Sequence, residues 1–475
     1  MRKKLLLPLF FFIPIIVNAN INHFDSDSLK RGKWKSVFSL ESRDSTEKPS
    51  RITIAAKENE TPNEKWSVKL GGFIATDFFW DSRQLVGSRD GAISLYPDNA
   101  KYDNNGKDIH AHPSFNFVAM NSRLTVRIQA PAVLKANISG MIEGWFMGAS
   151  NVDMNAFALR HAFIKMDWKS TSLLLGQTWH PLFTEHCFAQ TVAASTGAPF
   201  QPFSRAPQIR VVQKFGNFSN IMLYFNAQRD FLSVGNEGAS SAYLRRSAIP
   251  EMGLQYHFNY KNKMDDILKD ELLWGLGINY KYLIPRIVTQ KGNYTSQGFS
   301  SIATTFFLHY RHFHTADFHW GFKMKSTFSQ ACNEYLMIGG YAVKKYDNAS
   351  LNDSIDYSYT PLNTLSSWVD LYFSYKSWEI GLFLGNVCNF GSFQPVQDYT
   401  NPKSYTGRGT DIHSIYRISC RVKYTVKMLQ FAMEPEYTLA RYASDFNIYG
   451  KPENFDIPFI NVGGLRVLFS ATLFF

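Results

Sequence analysis

From Trp66 to Phe475, apolar and polar side chains alternate in segments of roughly ten residues or more, with turn-rich stretches between them. A period of two places successive side chains on opposite faces of a β-strand, so each segment has one apolar face and one polar face. The pattern predicts sixteen strands, at Trp66–Trp80, Phe115–Ala130, Val133–Met147, Asn155–Trp168, Thr171–His180, Pro207–Phe215, Phe218–Asp230, Ala248–Tyr260, Glu271–Pro285, Ser300–His312, Ala316–Gln330, Leu365–Lys376, Ser377–Phe390, Asp411–Val426, Lys427–Ala443 and Pro458–Phe475.

The connections between these strands alternate between long and short. Long gaps such as Asp81–Ser114 and Pro181–Ala206 are followed by short ones such as Lys169–Ser170 and Gly216–Asn217. Single-chain bacterial barrels have an even number of strands, short periplasmic turns and longer outer loops. The fold class that the sequence predicts is therefore all-β, a transmembrane antiparallel β-barrel of about 16 strands. One expected connection, Lys261–Asp270, is long for a periplasmic turn.

The last predicted strand carries a second signal. Counting back by two from Phe475 gives Leu473, Ala471 and Phe469, which form an apolar face suited to lipid. A terminal aromatic residue on an amphipathic strand resembles the signal that the barrel-assembly machinery recognises. We therefore expect Phe475 to contact that machinery and the barrel to lie in outer-membrane lipid.

Composition agrees with this pattern and divides the chain into three parts. Aromatic residues make up 16% of the chain, yet its mean hydropathy is −0.22. Residues 1–19 have the basic start, short apolar run and Val17-Asn18-Ala19 cleavage motif of a secretory signal peptide. Residues 20–65 are polar and lack heptads, which indicates a flexible periplasmic leader that is too short for a globular plug. Residues 66–475 are the predicted porin domain, in the outer membrane of a Gram-negative bacterium, with both mature termini in the periplasm.

Two other classes of protein are considered beside a porin. A barrel enzyme would need a catalytic constellation, but the pairs His110/His112 and His312/His314 come without a GxSxG or HExxH motif. A secreted β-rich glycan-binding protein would explain export and the aromatic residues, but not the alternating loops. The four cysteines form no CxxC motif. We expect no catalysis, cofactor, metal or nucleic-acid partner.

Strand parity assigns several arginines to the inside of the barrel. Because Leu124, Val126 and Ile128 suit lipid, Arg123 and Arg127 on the same strand point inward. The same argument places further arginines in the lumen, with weaker parity for the last: Arg417, Arg421, Arg466 and Arg210. The first five would form one basic wall and favour anionic solutes. The alternative is that these arginines pair with inward acidic residues, namely Asp77, Glu251, Glu434 and Glu436.

The third long loop, between Pro181 and Arg205, is rich in Phe, Ala and Pro and poor in charge. This composition suits a loop that folds into the barrel and narrows it, with Glu185, His186 and Arg205 as candidates for the constriction. The alternative is a loop that packs under neighbouring subunits or other loops. A disulfide between Cys187 and Cys332 is a further option.

Four segments together resemble a known family: Leu70–Gln84, Leu159–Lys165, Gly176–Pro181 and Ile249–Met252. In order and spacing they are similar to the DcaP-like trimeric outer-membrane porins. The resemblance covers most of the chain from Trp66 onward. It implies a sixteen-stranded barrel, a homotrimer, and passive diffusion of small hydrophilic solutes, often anionic organic molecules such as dicarboxylates.

Overall fold

The computed structural model describes residues 66–264, 267–289, 291–345 and 357–475. The expected signal peptide (1–19) and periplasmic leader (20–65) lie outside these ranges. Among the described residues, no helix is both long enough and apolar enough to cross a membrane.

Sixteen strands form one closed antiparallel barrel in which each strand pairs with its neighbours in the chain. The second strand is interrupted between Val118 and Arg123, and both of its segments pair with the first. The strands are β1 Ser67–Asp81, β2 Ser114–Val118 with Arg123–Val133, β3 Ala136–Trp145, β4 Ala158–Asp167, β5 Thr171–Trp179, β6 Arg205–Phe215, β7 Ser219–Asn226, β8 Glu251–Met264, β9 Ile267–Leu283, β10 Phe299–Phe313, β11 Phe318–Gln330, β12 Tyr359–Tyr375, β13 Trp378–Ser392, β14 Ile412–Val426, β15 Leu429–Tyr442 and β16 Ile460–Phe474.

The predicted barrel is confirmed, and each of the sixteen predicted strands overlaps an observed one. The expected long turn at Lys261–Asp270 was wrong. Strand β8 runs to Met264 and β9 starts at Ile267, and Lys261 pairs with Glu271 across the sheet. The side chains from Asn259 to Met264 are exposed. These strand ends therefore have no apolar face, and a pattern of alternation cannot detect them.

The two faces of the wall follow the predicted parity. Leu124 and Ile418 are 40% and 47% exposed on the outer surface, whereas the adjacent Thr125 and Ser419 are buried in the interior. At the short-turn end, the rings of Trp378 and Tyr424 lie 4.6 Å apart on the outer surface, as expected of an interfacial aromatic belt.

The barrel closes where β16 meets β1, with pairs running from Phe73↔Phe474 to Asp81↔Arg466. The terminal residue completes this seam, because the amide of Phe475 donates to the carbonyl of Gly72 at 3.2 Å and the amide of Gly72 donates back at 3.1 Å. Pairing of the last strand with the first leaves no free sheet edge at the seam.

The long loops fill much of the interior and supply its apolar core. The first long loop contains a hairpin, Leu85–Ser88 with Ile93–Pro97, and every residue of its second strand is buried. The loop between β5 and β6 and the loop between β11 and β12 also bury apolar residues, such as Phe200 and Ile338. The core therefore lies inside the barrel, between its loops and its inward side chains.

Candidate pore constriction

The segment from His180 to Ser204, called the third loop below, turns into the barrel as soon as β5 ends. A short 3-10 helix, Pro181–Phe183, makes this turn, and the His180 ring accepts a hydrogen bond from the amide of Leu182. The His180 ring also lies 3.2 Å from a carboxylate oxygen of Glu251 on β8. The start of the loop is thus fixed against the wall.

Basic side chains from the opposite wall hold the loop by its carbonyl groups. The amine of Lys325 donates to the carbonyls of Leu182 and Phe183 at 2.8 and 2.6 Å. The amine of Lys423 donates to the carbonyl of Gln190 at 2.8 Å. These charge-assisted bonds satisfy polar backbone that would otherwise be stranded in the interior.

Acidic side chains hold the same loop by its amide groups. Asp370 Oδ2 accepts from the amide of Gln190 at 2.8 Å. Glu434 Oε2 accepts from the amides of Val192 and Ala193 at 2.5 and 3.3 Å. Because the loop starts on β5 and is bound by β11, β12, β14 and β15, it crosses the lumen. The predicted insertion of this loop is confirmed.

Aromatic packing completes the seating of the loop. The rings of Phe183 and Trp179 stack with centroids 3.9 Å apart. Phe200 packs over Gly385 on β13, where an added Cβ would lie 2.7 Å from the Phe200 ring. The small residue at Gly385 therefore makes room for the loop. Cys187 and Cys332 are both buried and free, so the disulfide considered from the sequence is absent between these two described residues.

Three of the predicted lumenal arginines are inside the barrel but bonded to carboxylates. Arg466 binds Asp81 with two hydrogen bonds of 2.7 and 2.8 Å. Arg421 contacts Asp370 at 2.5 Å and Glu379 at 3.3 Å, and Arg417 lies 3.3 Å from Glu436. These side chains are nearly inaccessible. Their charges are matched locally, as the alternative of acid pairing expected, and they do not form an open wall with Arg123 and Arg127.

The other expected acidic partners bind elsewhere. Glu434 holds the third loop, and Asp77 Oδ1 accepts from the Ser470 hydroxyl at 2.6 Å. Glu251 accepts from the Asn279 amide at 2.6 Å and from the Tyr335 hydroxyl, and thereby links the loop after β11 to the start of the third loop.

A cluster of arginines lies around Trp145, on the wall from which the third loop departs. The guanidinium carbons of Arg160, Arg205 and Arg123 lie 4.2, 4.3 and 5.9 Å from the centroid of the indole ring. Each distance is within the range of a cation–π contact. Arg89 of the first loop is electrostatically coupled to Arg205, and burial lowers the pKa of Arg89. We call Arg89, Arg123, Arg160 and Arg205 the arginine cluster.

Carboxylates compensate the arginine cluster only in part. Arg160 Nε lies 2.8 Å from Glu143, and Arg205 Nη2 lies 2.7 Å from Asp230. Several buried guanidinium nitrogens have no hydrogen-bond partner among the described residues, namely Arg160 Nη1, Arg205 Nη1, Arg123 Nε, and Nε and Nη2 of Arg89. Unpaired buried donors are destabilising, and these nitrogens remain available to oxygen atoms of solvent or of a ligand.

The remaining predicted residues lie beside this cluster. Arg127 is exposed on the lumenal face of the same strand, four residues closer to the short-turn end than Arg123. Arg210 points inward as expected, and its Nη2 donates to the carbonyl of Trp179 at 2.8 Å. Glu185 and His186 are half-buried on the third loop. Burial lowers the pKa of His186, while the Glu185 charge opposes this shift.

Sequence parity missed two members of the arginine cluster. A register irregularity in the pairing of β3 with β4, at Glu143/Gly144, lets consecutive residues Arg160 and His161 both face the interior. Strict alternation assigns only one of them inward, and a bulge of this kind has no reliable signal in a single sequence. Arg89 lies in a loop, where parity gives no information. No group of three or more His, Cys, Asp or Glu residues in the described ranges could hold a metal ion.

No protein-family model matches the chain. No curated protein matches it by sequence either. Among solved structures, the outer membrane channel DcaP of Acinetobacter baumannii matches with a TM-score of 0.59 and 14% identity, over 88% of this chain and 99% of that one. The match shows that this barrel has the fold of a DcaP channel, and the resemblance read from the sequence is confirmed at that level.

Two further solved structures match less closely. An anion-selective porin from Comamonas acidovorans has a TM-score of 0.47 and 10% identity, over 86% of this chain and all of that one. OmpT of Vibrio cholerae, expressed in the outer membrane, has a TM-score of 0.47 and 9% identity, over 89% of this chain and all of that one.

Proposed function

We propose that the protein is an outer-membrane porin for passive diffusion of small hydrophilic solutes, with a preference for anionic molecules and in particular dicarboxylates. The observation that carries this proposal is the arginine cluster, in which four guanidinium groups meet only two directly bonded carboxylates among the described residues. A net positive site beside a constricting loop raises the local concentration of anions.

The cluster offers the geometry that a carboxylate requires. Guanidinium groups bind carboxylates through paired N–H donors. The indole faces of Trp145 and Trp179 hold these groups in place, with Arg205 4.3 and 4.9 Å from the two centroids. Arg127 extends the positive surface toward the short-turn end of the lumen. An anion would pass from one guanidinium group to the next, so it would remain in contact with at least one positive charge along the path.

The third loop narrows the path because it crosses the lumen from β5 to the opposite wall. Its bonds to Lys325, Asp370, Lys423 and Glu434 press it against β11–β15. The lysines and carboxylates of that wall are thereby engaged with backbone. Selectivity for anions is then determined by the wall from β1 to β6. This wall carries Arg123, Arg127, Arg205 and Arg210, and the third loop facing it carries Glu185 and His186.

Placement in the membrane follows from the same architecture. We place the short turns and both mature termini in the periplasm and the long loops outside, as in bacterial barrels of this type. The resemblance to DcaP-like porins supports a homotrimer, and the seam at Phe475 suits recognition by the barrel-assembly machinery. Native mass spectrometry of the detergent-solubilised protein would measure the number of subunits.

A liposome-swelling assay with succinate and its neutral diamide, succinamide, tests the proposal. The two molecules have similar size, so faster swelling with succinate reports charge preference rather than pore width. We expect Arg205→Gln to reduce this preference, with Lys135→Gln in an exposed turn as the control. Equal rates for the two solutes would refute the anion preference, and the absence of swelling with either would refute the porin.

A further inference from the structure

The outer surface of the barrel carries a row of polar side chains where apolar ones are expected. Ser326, Ser367, Asn386 and Tyr416 lie on β11, β12, β13 and β14 and are direct cross-strand neighbours, paired as Ser326↔Ser367, Ser367↔Asn386 and Asn386↔Tyr416. Their chain neighbours Thr327, Trp368, Gly385 and Arg417 are buried in the interior. By alternation, the four polar side chains therefore face the bilayer.

Apolar rows flank this polar row on both sides. Toward the short turns, the neighbouring row consists of Met324, Val369, Leu384 and Ile418, and toward the long loops it consists of Phe328, Leu365 and Cys388. Asn386 is eight residues from the belt residue Trp378, which is about 27 Å along a strand and about 20 Å along the bilayer normal at the usual tilt. The row thus lies within the apolar band, in its loop-side half.

The same place is concave. A groove of about 510 Å³ opens to the bilayer between β12 and β15, and Ser367 and Asn386 are among the residues that line it. Leu384, Tyr416 and Tyr437 line it with larger side chains, and the two tyrosines are 42% and 47% exposed. Small side chains between large ones leave a groove whose volume is sufficient for a hydrocarbon chain.

The polar groups in the groove are only partly satisfied by the protein. The Ser367 hydroxyl lies 2.8 Å from that of Ser326 on the neighbouring strand, and Asn386 Nδ2 donates a long bond of 3.4 Å to the carbonyl of Ile415, while its Oδ1 accepts a weak bond of 3.6 Å from the Cys388 thiol. An amide has two N–H donors and a carbonyl acceptor, and a phenol can donate and accept. Plain hydrocarbon cannot bond these groups, so exposing them to it is unfavourable.

We infer that this groove binds a lipid of the loop-side leaflet whose acyl chain carries a hydroxyl or amide group near its head. The chain fills the groove beside Leu384 and Tyr437, and its polar group hydrogen-bonds Asn386 with Ser367 or Tyr416. The depth of the polar row favours this lipid, because acyl hydroxyl and amide groups lie just inside the headgroup region, as the row does, and not at the bilayer centre. The inference requires the membrane barrel but not its solute preference.

Photocrosslinking tests the inference. The full-length protein is placed in phosphatidylcholine nanodiscs with a trace of one of two lipids that differ only in a 3-hydroxyl group and share a diazirine midway along the acyl chain. We expect adducts on the groove peptides of β12–β15. The hydroxylated probe should label them about fivefold more, the ratio that corresponds to about 1 kcal/mol or one net hydrogen bond.

Two variants make the test specific. The double variant S367A/N386L should lower labelling by the hydroxylated probe to the level of the plain one. Thr304→Val, which removes an exposed bilayer-facing hydroxyl outside the groove, should leave labelling unchanged. A change in electrophoretic mobility on boiling verifies that each variant is folded. Equal labelling of the wild-type protein by both probes would overturn the inference, and so would crosslinks between two copies of the chain through the groove.

Discussion

Reversal of the charge at Arg123 is predicted to shift the ion preference of the channel from anions toward cations. Arg123 is half-buried in the lumen, with its guanidinium 4.8 Å from the centroid of the Phe73 ring, and it points into the arginine cluster. Arg123→Glu changes the charge at this position by two units. For an anion passing at roughly 6 Å in water, this changes its energy by about 1.4 kcal/mol. Anion permeability should therefore fall about tenfold and cation permeability should rise about tenfold, so that the anion-to-cation permeability ratio falls about 100-fold.

Reversal potentials in planar bilayers under a salt gradient measure this ratio. The experiment belongs at about 0.1 M salt, where the screening length is about 10 Å, because at 1 M it is about 3 Å and the effect should nearly disappear. Arg123→Gln should give about half the free-energy change, and Arg127→Glu should act in the same direction as Arg123→Glu. Mobility on boiling verifies that each variant is folded.

Lys135→Glu provides the matched control, because it reverses a charge in an exposed turn outside the lumen. It alters the net charge of the protein by the same amount as Arg123→Glu. If both variants shifted the reversal potential equally, or if the Arg123 effect persisted undiminished at 1 M salt, the selectivity would not originate at the cluster and the reasoning would fail.

Further predictions concern the third loop. Deletion of Ala189–Ala198 should raise single-channel conductance, and unchanged conductance would exclude this loop from the constriction. Glu434→Ala removes the acceptor for two loop amides, so we expect about 1.5–3 kcal/mol of weaker anchoring, seen as open-channel current noise that is absent in wild type. Burial lowers the pKa of His186, so His186 binds a proton more readily when the loop is detached than when it is anchored. Anchoring should therefore weaken, and the current noise should grow, as the pH falls below about 6.5. His186→Gln should reduce this pH dependence of the noise. Burial raises the pKa of the Cys187 thiol to about 11, so iodoacetamide at pH 8 should modify it only after the barrel is unfolded, as mass spectrometry of digested protein would show.

Alternation predicted the wall well because one face of each strand must meet lipid wherever the strand crosses the bilayer. The same physics explains its errors. Where β8 and β9 extend beyond the bilayer, Asn259 to Met264 need no apolar face and give no alternating signal. The irregularity at Glu143/Gly144 turned Arg160 inward against the count of residues.

Whether each lumenal arginine is paired with a carboxylate could not be predicted from the sequence, because such pairing depends on contacts between strands. Parity placed Arg417, Arg421 and Arg466 inside, but their pairing with Glu436, Asp370 and Asp81 depends on strand register and side-chain reach. The inserted hairpin of the first loop had a usable signal, because Ile93–Pro97 is an apolar run in an otherwise polar loop. An apolar run within a polar loop therefore predicts insertion of that loop into the barrel, in addition to the loop's overall charge.

The attachment of the third loop has a mechanical consequence. A segment that leaves β5 and is fastened to β11, β12, β14 and β15 spans the ring like a spoke. A thin cylinder under uneven lateral pressure from the bilayer tends to flatten into an ellipse. The third loop resists flattening along the direction in which it spans the barrel. The pore beside the loop should therefore keep its shape while the surrounding lipid fluctuates.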